Sequence, residues 1–501
     1  MNSLMSLLLL YLSLLFSLIT TIISFHHRRR HAISGPPTYP IIGCLISFYK
    51  NRRRLLDWYT ALLSQSPTNT IVITRLGARR TIVTANPSNV EYILKTNFPN
   101  YPKGKPFTDI LGDFLGYGIF NVDGDAWRAQ RKLVSHEFTA RSLKEFFITT
   151  LEEEVEKELV PMMESLAETE KVVDLQELLR RLTFNMVCRV SLGVERCCLD
   201  PKEPEQPLSK AFDAASTICA RRGAAPLVVV WKVKRLLGVG SEKELKEAVG
   251  EVHKEVSEMI AIKKEVMGNN NGDDQDLLSR LIAAGYEEVE IRDIVISLIM
   301  AGRDTTSAAM TWLFWLLSCH RGMESAVVEE ATRTATRMEG LEDMKLLKAC
   351  LCESMRLYPP VVWDSKHAVV DDLLPDNTPV RAGDRVTYFP YGMGRMEGLW
   401  GKDWFEFRPE RWFVDNEENS CELKRVCPYK YPIFQAGPRV CLGKEMAFVQ
   451  MTYVVASILR RFEIRPVSQK RPVYVPLLTA HMAGGLNVVV KRRCQSKTET
   501  R

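Results

Sequence analysis

Hydrophobic positions recur along this chain with several different spacings, and each spacing predicts a different element. From Leu4 to Phe25 the run is uncharged and rich in Leu, Ile and Phe, about the length a helix needs to cross a bilayer. Two short β-branched runs, Ile71 to Ile73 and Thr81 to Val83, flank the break Gly77-Ala78-Arg79-Arg80 and predict a hairpin. After that the period is helical, over Ser88 to Thr96, Asp125 to Glu137, Ser142 to Leu166, Asp174 to Leu192 and Glu242 to Met267. The polar stretch Gly268 to Asp274 predicts a surface loop. The longest apolar segment of the body, Ile291 to Leu317, has Ala301-Gly302-Arg303-Asp304-Thr305-Thr306 at its middle, too polar for a membrane span, and predicts a long core helix. Arg385 to Phe389 and Leu486 to Val490 predict a small sheet near the C-terminus.

This pattern divides the chain into three parts. Residues 1-31 form a signal anchor with a basic flank, since His26 to His31, with Arg28, Arg29 and Arg30 among them, follows the apolar run instead of preceding it. The positive-inside rule then puts the N-terminus in the lumen and the body in the cytosol, at the endoplasmic reticulum membrane. Residues 32-50, with Pro36, Pro37, Pro40 and Gly43, form a stiff hinge. Residues 51-501 form the body of the chain, mainly α with small β-sheets, and no linker divides it.

Composition narrows the class. At 501 residues, 46% hydrophobic and 26% charged, the chain is long enough and apolar enough to bury a large core. The net charge of +6 is partly local, in Arg28 to Arg30 and Arg52 to Arg54, and does not mark a nucleic-acid surface. The 12 cysteines include no Cys-x-x-Cys pair, which argues against a zinc ribbon or a disulfide scaffold.

One cysteine stands in a context that asks for chemistry. In Phe434-Gln435-Ala436-Gly437-Pro438-Arg439-Val440-Cys441-Leu442-Gly443, Cys441 lies just before the helical pattern Lys444 to Arg461, where a helix N-terminus favours a thiolate. Gly437 and Gly443 remove side chains where backbone would lie flat against a ring, and Arg439 offers a cation to a propionate. Together these residues describe a site for a planar cofactor.

The stretch resembles the haem loop of the cytochrome P-450 superfamily, Phe-x-x-Gly-x-Arg-x-Cys-x-Gly, at every fixed position. The resemblance implies haem b with Cys441 as axial thiolate, O2 and NADPH as co-substrates, a reductase as electron donor and a haem enclosed between a long helix and the cysteine loop. It also implies that Glu353 and Arg356, one helical turn apart, meet Arg411 of Pro409-Glu410-Arg411-Trp412 in a buried network bracing that loop. On the long helix it makes Thr305 the hydrogen-bond donor to dioxygen and Asp304 the source of protons, with Gly302 and the threonine hydroxyls loosening the ladder to open a pocket. Trp127 and Arg131 match Trp-x-x-x-Arg, a propionate donor, and Lys366 and His367 lie where another propionate cation is often found.

Further segments narrow the resemblance. Arg356 to Ala368 and Phe389 to Glu397 resemble the plant clan of fatty-acid ω-hydroxylases, and Pro476 to Leu486 is similar to the branch that 12-hydroxylates jasmonoyl-isoleucine, which implies a role in hormone catabolism. Asn377 stands where relatives usually carry Gly, and Asn tolerates a left-handed turn. Pocket candidates by family position are Phe107, Leu111, Phe114, Leu115, Val361, Val362, Leu478 and Thr479. Competing expectations are ω-hydroxylation of free fatty acids, a haem-thiolate hydroperoxide isomerase that needs no electrons, and a haem-binding protein without activity.

Overall fold

The computed structural model describes residues 35-193, 199-200, 203-204, 206-269, 276-334, 338-414 and 422-493, together with Tyr11, Ser13, Leu14, Phe16 and Ser17. The predicted anchor therefore lies almost wholly outside the described residues, as do its basic flank and most of the polar loop ending at Asp274. Among the described residues no helix is long and apolar enough to cross a membrane.

The elements that build the site are, in chain order, helix α1 (Leu55–Gln65), strands β1 (Thr70–Ile73) and β2 (Thr81–Thr84), helices α2 (Lys105–Leu115), α3 (Gly124–Thr139), α4 (Leu175–Leu192), α5 (Pro207–Ala224), α6 (Val228–Leu237), α7 (Ser241–Asn269), α8 (Glu288–Cys319) and α9 (Lys345–Leu357), strands β3 (Asp364–His367) and β4 (Arg385–Tyr388), helix α10 (Lys444–Arg461), and strands β5 (Phe462–Pro466) and β6 (Asn487–Arg492). The predicted helices and the hairpin all form. Turn chemistry fixes several of their ends: Asp174 accepts from the Gln176 N–H to open α4, and Gly193, left-handed, closes it.

Helix α8 is the axis of the molecule. Its 32 residues span about 48 Å, and Ile294, Val295, Ile299, Met310, Trp312, Leu313 and Phe314 are all buried, so the helix is wrapped on nearly every side. Helices α4, α7, α9 and α10 pack against it. No break interrupts it at Gly302. Thr305 Oγ1 donates to the Ala301 carbonyl at 2.6 Å and Thr306 Oγ1 to the Gly302 carbonyl at 2.8 Å, so the hydroxyls bond back onto a helix that stays continuous.

The strands group differently from the sequence expectation. Arg385 to Phe389 and Leu486 to Val490 do not share a sheet. Strand β4 joins the N-terminal hairpin in the order β1-β2-β4-β3, parallel to β2 with Thr81 opposite Arg385, whereas β6 pairs with β5 and with the short strand Val173–Asp174. Alternation of side chains identifies a strand but not a partner some 300 residues away.

The predicted hinge is docked from Gly35 onward. Cys44 N–H donates to the Thr74 carbonyl at 2.8 Å, Cys44 and Phe48 are buried, and a Cβ on Gly35 would lie 2.6 Å from the Val72 carbonyl oxygen. Helix formation begins inside it, at Leu45. Asn377 is left-handed at φ +65°, as its turn requires.

Candidate active site

A cavity of about 540 Å³ runs beside the middle of α8 and reaches the loop before α10. Ala301, Gly302 and Thr305 form one wall, and Phe434, Cys441, Gly443 and Ala447 face them. The thiol of Cys441 opens into this space. Burial raises its pKa, opposed by the Gly443 N–H, Arg131 and Lys444, which pull it down. The loop is held from behind, since the Cys441 N–H donates to the Phe434 carbonyl at 2.8 Å and the Phe434 ring packs on Phe448 with centroids 5.3 Å apart.

The two loop glycines have different roles. Gly443 lines the cavity, and a Cβ there would meet only Phe138, at 3.8 Å. Gly437 does not line it, so the expectation that it clears space for a ring is corrected: its φ is +65° and a Cβ would lie 2.1 Å from the Leu94 carbonyl oxygen. Gly437→Ala is therefore expected to destabilise the protein by at least about 2 kcal/mol through a left-handed Cβ and a backbone clash, read as a lower thermal midpoint and less bound haem.

Of the predicted cations, Arg131 and Arg439 line the cavity. Arg439 donates to Asp123 at 2.7 Å and to the Val122 carbonyl at 2.9 Å, and its guanidinium lies 4.5 Å above the Trp127 ring. Trp127 thus sits behind Arg439, packed on Phe98, and is not part of the cavity wall. Arg131 makes no ion pair with a described residue. Burial pulls its pKa down while the cysteine opposes that shift, which is the setting of a guanidinium that needs an anion from a ligand. Lys366 is fully buried but does not line the cavity. It donates to Asp364 at 2.9 Å, and Lys103 binds the same carboxylate at 2.5 Å. Burial, with Lys103 and Arg439 nearby, brings the Lys366 ammonium down to about 7, and the two lysines hold Asp364 far below the usual carboxylate range.

Thr305 and Asp304 are neighbours in sequence with different surroundings. Thr305 faces the cavity, while Asp304 turns away and accepts from the Arg303 Nε at 2.8 Å. Arg303 is buried and also pairs with Asp213 of α5, which Arg180 of α4 binds too. Nothing in the sequence pattern singled out Arg303, although a buried arginine at the centre of a core helix demands partners.

The ion network forms as expected and is larger. Both Glu353 carboxylate oxygens accept from Arg356 at 2.8 Å, and one also takes Arg411 Nε at 2.9 Å. Trp412 Nε1 and the Arg408 N–H, unforeseen in the sequence, add bonds at 2.9 Å each. Tyr431 links this cluster to the cysteine loop, donating to the Cys352 carbonyl at 2.8 Å and packing on Trp412 with ring centroids 4.7 Å apart.

Five of the eight pocket candidates, Phe107, Leu111, Val361, Leu478 and Thr479, line the cavity. Phe114, Leu115 and Val362 do not: Phe114 packs edge-on against Phe212 at 5.1 Å, and all three belong to the packed core. The pattern also missed Gln435. Its left-handed backbone at φ +62° is strained for a side-chain residue, and its amide holds it by bonding Tyr388 and, at 3.2 Å, Asp364.

A planar iron porphyrin suits these residues: the Cys441 thiol opens into a largely apolar slot, and Arg131, a cation without a described protein anion, lines it. Comparison with known proteins agrees. The family model described as Cytochrome P450 matches residues 33–482. The chain is 59% identical to "Cytochrome P450 94B1" of Arabidopsis thaliana over 92% of both chains, and 58% identical to "Cytochrome P450 94B3" of the same plant, again over 92% of each. It is 44% identical to "Cytochrome P450 94A2" of Vicia sativa over 91% of each. The crystal structure of the cytochrome P450DA heme domain has the same fold, with a TM-score of 0.77 at 18% identity over 92% of this chain and 98% of that one.

Proposed function

The chain belongs to the cytochrome P450 family as a haem-thiolate monooxygenase that uses O2 and NADPH-derived electrons, and from that premise we propose that it hydroxylates the ω-carbon of a carboxylate-bearing lipophilic chain, foremost jasmonoyl-isoleucine at its 12 position. The observation that carries this reading is where the tail falls. Pro476, Leu477, Leu478 and Thr479, which open the segment similar to the jasmonate-oxidising branch, form a wall of the cavity that Cys441 enters.

When bound, the haem supplies oxygen activation, with thiolate electron density favouring O–O cleavage. The protein's own residues do the rest. Cys441 would hold the iron through its sulfur, on a loop fixed by the Phe434 carbonyl. Arg131 and Arg439 would neutralise the haem propionates, with Trp127 supporting Arg439. Thr305 Oγ faces the cavity and would hold a proton at the reaction side once its O–H turns from the Ala301 carbonyl, and Asp304, one residue away, would resupply it when it leaves Arg303. Phe107, Leu111 and Val361 exclude water and align the chain end.

The enzyme acts at the endoplasmic reticulum membrane in this reading. Besides the apolar run Leu4 to Phe25, helix α6 supports it, exposing Val229, Val233, Leu236 and Leu237 beside Lys232, Lys234 and Arg235, as a helix lying on a lipid surface does. The partner that delivers electrons is NADPH-cytochrome P450 reductase.

The second reading is ω-hydroxylation of free long-chain fatty acids by the same machinery. Microsomes carrying the enzyme and reductase separate the two when supplied with NADPH and each substrate in turn. Turnover of jasmonoyl-isoleucine at least about tenfold above that of a fatty acid is expected, a gap of about 1.4 kcal/mol in transition-state binding. A clear preference for the free fatty acid contradicts the first reading. Product formed without NADPH when a fatty-acid hydroperoxide is supplied points to the hydroperoxide isomerase instead.

A further inference from the structure

Two arginines lining the cavity have no protein anion. Arg75 follows β1 and Arg385 opens β4. Neither makes an ion pair with a described residue, and Nη1 of Arg75 and Nε of Arg385 are buried without a hydrogen-bond partner. The two guanidiniums repel each other, and burial together with Arg75 holds Arg385 below the usual arginine range. The nearby arginines of the hairpin turn are already occupied: Arg80 pairs with Asp384, and Arg79 donates to the Gly383 carbonyl at 3.3 Å. Phe48 stacks under the Arg75 guanidinium at 3.8 Å, which orients it without neutralising it. Two like charges facing one partly buried space are costly unless an anion joins them.

Beside them His367 is unpaired in the opposite sense. Its Nδ1 lies 2.5 Å from the Lys103 carbonyl, so Nδ1 carries the proton and donates. Its Nε2 is then an acceptor, buried and without a partner. Burial lowers the ring to about 4, so it is neutral at physiological pH.

Strand β3 sets the distance between this cluster and the chemistry. Asp364, at one end, is bonded to Gln435 of the cysteine loop, and His367, at the other, lies opposite Arg385. Three residue steps of about 3.3 Å separate them, about 10 Å, so only a chain-like ligand reaches both.

We propose that Arg75 and Arg385 together bind the substrate carboxylate and that the His367 Nε2 accepts an amide N–H, making this end of the cavity a receptor for an N-acyl amino acid. The assignment rests on the reading of the substrate as a carboxylate-bearing chain. It separates the two candidate substrates, because a free fatty acid can satisfy the arginines but offers nothing to His367.

Titrating the purified holoenzyme and following the Soret shift measures binding without turnover. The ligands are jasmonoyl-isoleucine, its methyl ester, dodecanoic acid and methyl dodecanoate. Wild type is expected to prefer each acid over its ester. Arg75→Gln and Arg385→Gln are each expected to weaken acid binding about tenfold to a hundredfold and leave ester binding unchanged, since a hydrogen bond from a charged donor is lost only with the acid. Arg75→Lys and Arg385→Lys, which keep the charge, retain part of the preference. His367→Phe is expected to weaken binding of the amide conjugate about fivefold or more while sparing dodecanoic acid.

An acid preference that survives both glutamine variants overturns the arginine assignment while leaving the proposed substrate class standing. Equal losses for both acids in His367→Phe overturn the amide contact. Wild type that shows no preference for either acid removes both the substrate class and this assignment.

Discussion

Glu353→Ala is expected to yield almost no haem-loaded protein. The substitution deletes the one carboxylate that accepts from Arg356, Arg411, Trp412 and the Arg408 N–H, and it leaves Arg356 wholly buried with no anion. Breaking a buried pair from one side costs about 3–5 kcal/mol, a large share of a total stability of about 5–15 kcal/mol. The loss is also directed. The cluster ties α9 to the 409–412 turn, and through Trp412 and Tyr431 it supports the segment that begins the cysteine loop at Pro432–Phe434. Arg356 still has the carbonyls of Trp404 and Glu406, at 2.7 and 3.0 Å, but carbonyls do not neutralise its charge. Glu353→Gln, which keeps an acceptor in place without the charge, should fall between Ala and wild type in haem content per chain and in thermal midpoint. A Glu353→Ala protein with full haem content and an unchanged midpoint would refute the bracing role.

Thr305→Ala is expected to separate electron consumption from product. The fold should tolerate it, because the hydroxyl bonds only the Ala301 carbonyl of its own helix and a methyl fills the same wall. Substrate affinity should change little, since the Thr305 contribution lies in placing a proton and not in holding the chain. Loss of a hydrogen bond to a charged group amounts to about 1.5–3 kcal/mol, so product per NADPH should drop about tenfold or more, with the missing electrons recovered as hydrogen peroxide or water. Thr305→Ser, which keeps the hydroxyl, should restore most of the coupling. NADPH oxidation and product measured together in the reconstituted system read this directly, and unchanged coupling in Thr305→Ala contradicts the assigned role.

Much of the fold was legible because it depends on local pattern. The 3.6-residue period identified α3, α4, α7 and α8, and the break at Gly77 to Arg80 identified the hairpin. The Glu353, Arg356 and Arg411 network and the place of Cys441 before α10 were legible for another reason: the chemistry restricts residue type and spacing together. What the chain does not reveal locally is which distant segments meet. Strand β4 lies beside β2, so Arg385 meets Arg75 and Tyr59 across more than 300 residues, and no period encodes that. Asp364 and Lys103 are similar: each looks like an ordinary surface charge until the fold buries them together against Lys366. Gly437 was read for the right property and the wrong neighbour, since its missing side chain makes room for the Leu94 carbonyl and not for a ring. Phe114, Leu115 and Val362 show the limit of family position for apolar residues, because one turn along α2, or one residue along the chain from Val361, separates lining the cavity from packing behind it.

The account depends on the Cys441 sulfur as the protein ligand of a haem iron. The absorption spectrum of the purified, dithionite-reduced, carbon-monoxide-bound protein tests this most directly, with Cys441→Ser measured beside it. A Soret band at the red-shifted position of a thiolate-ligated haem, absent from Cys441→Ser, is the predicted result. A colourless protein, or a band that survives Cys441→Ser unchanged, would contradict it.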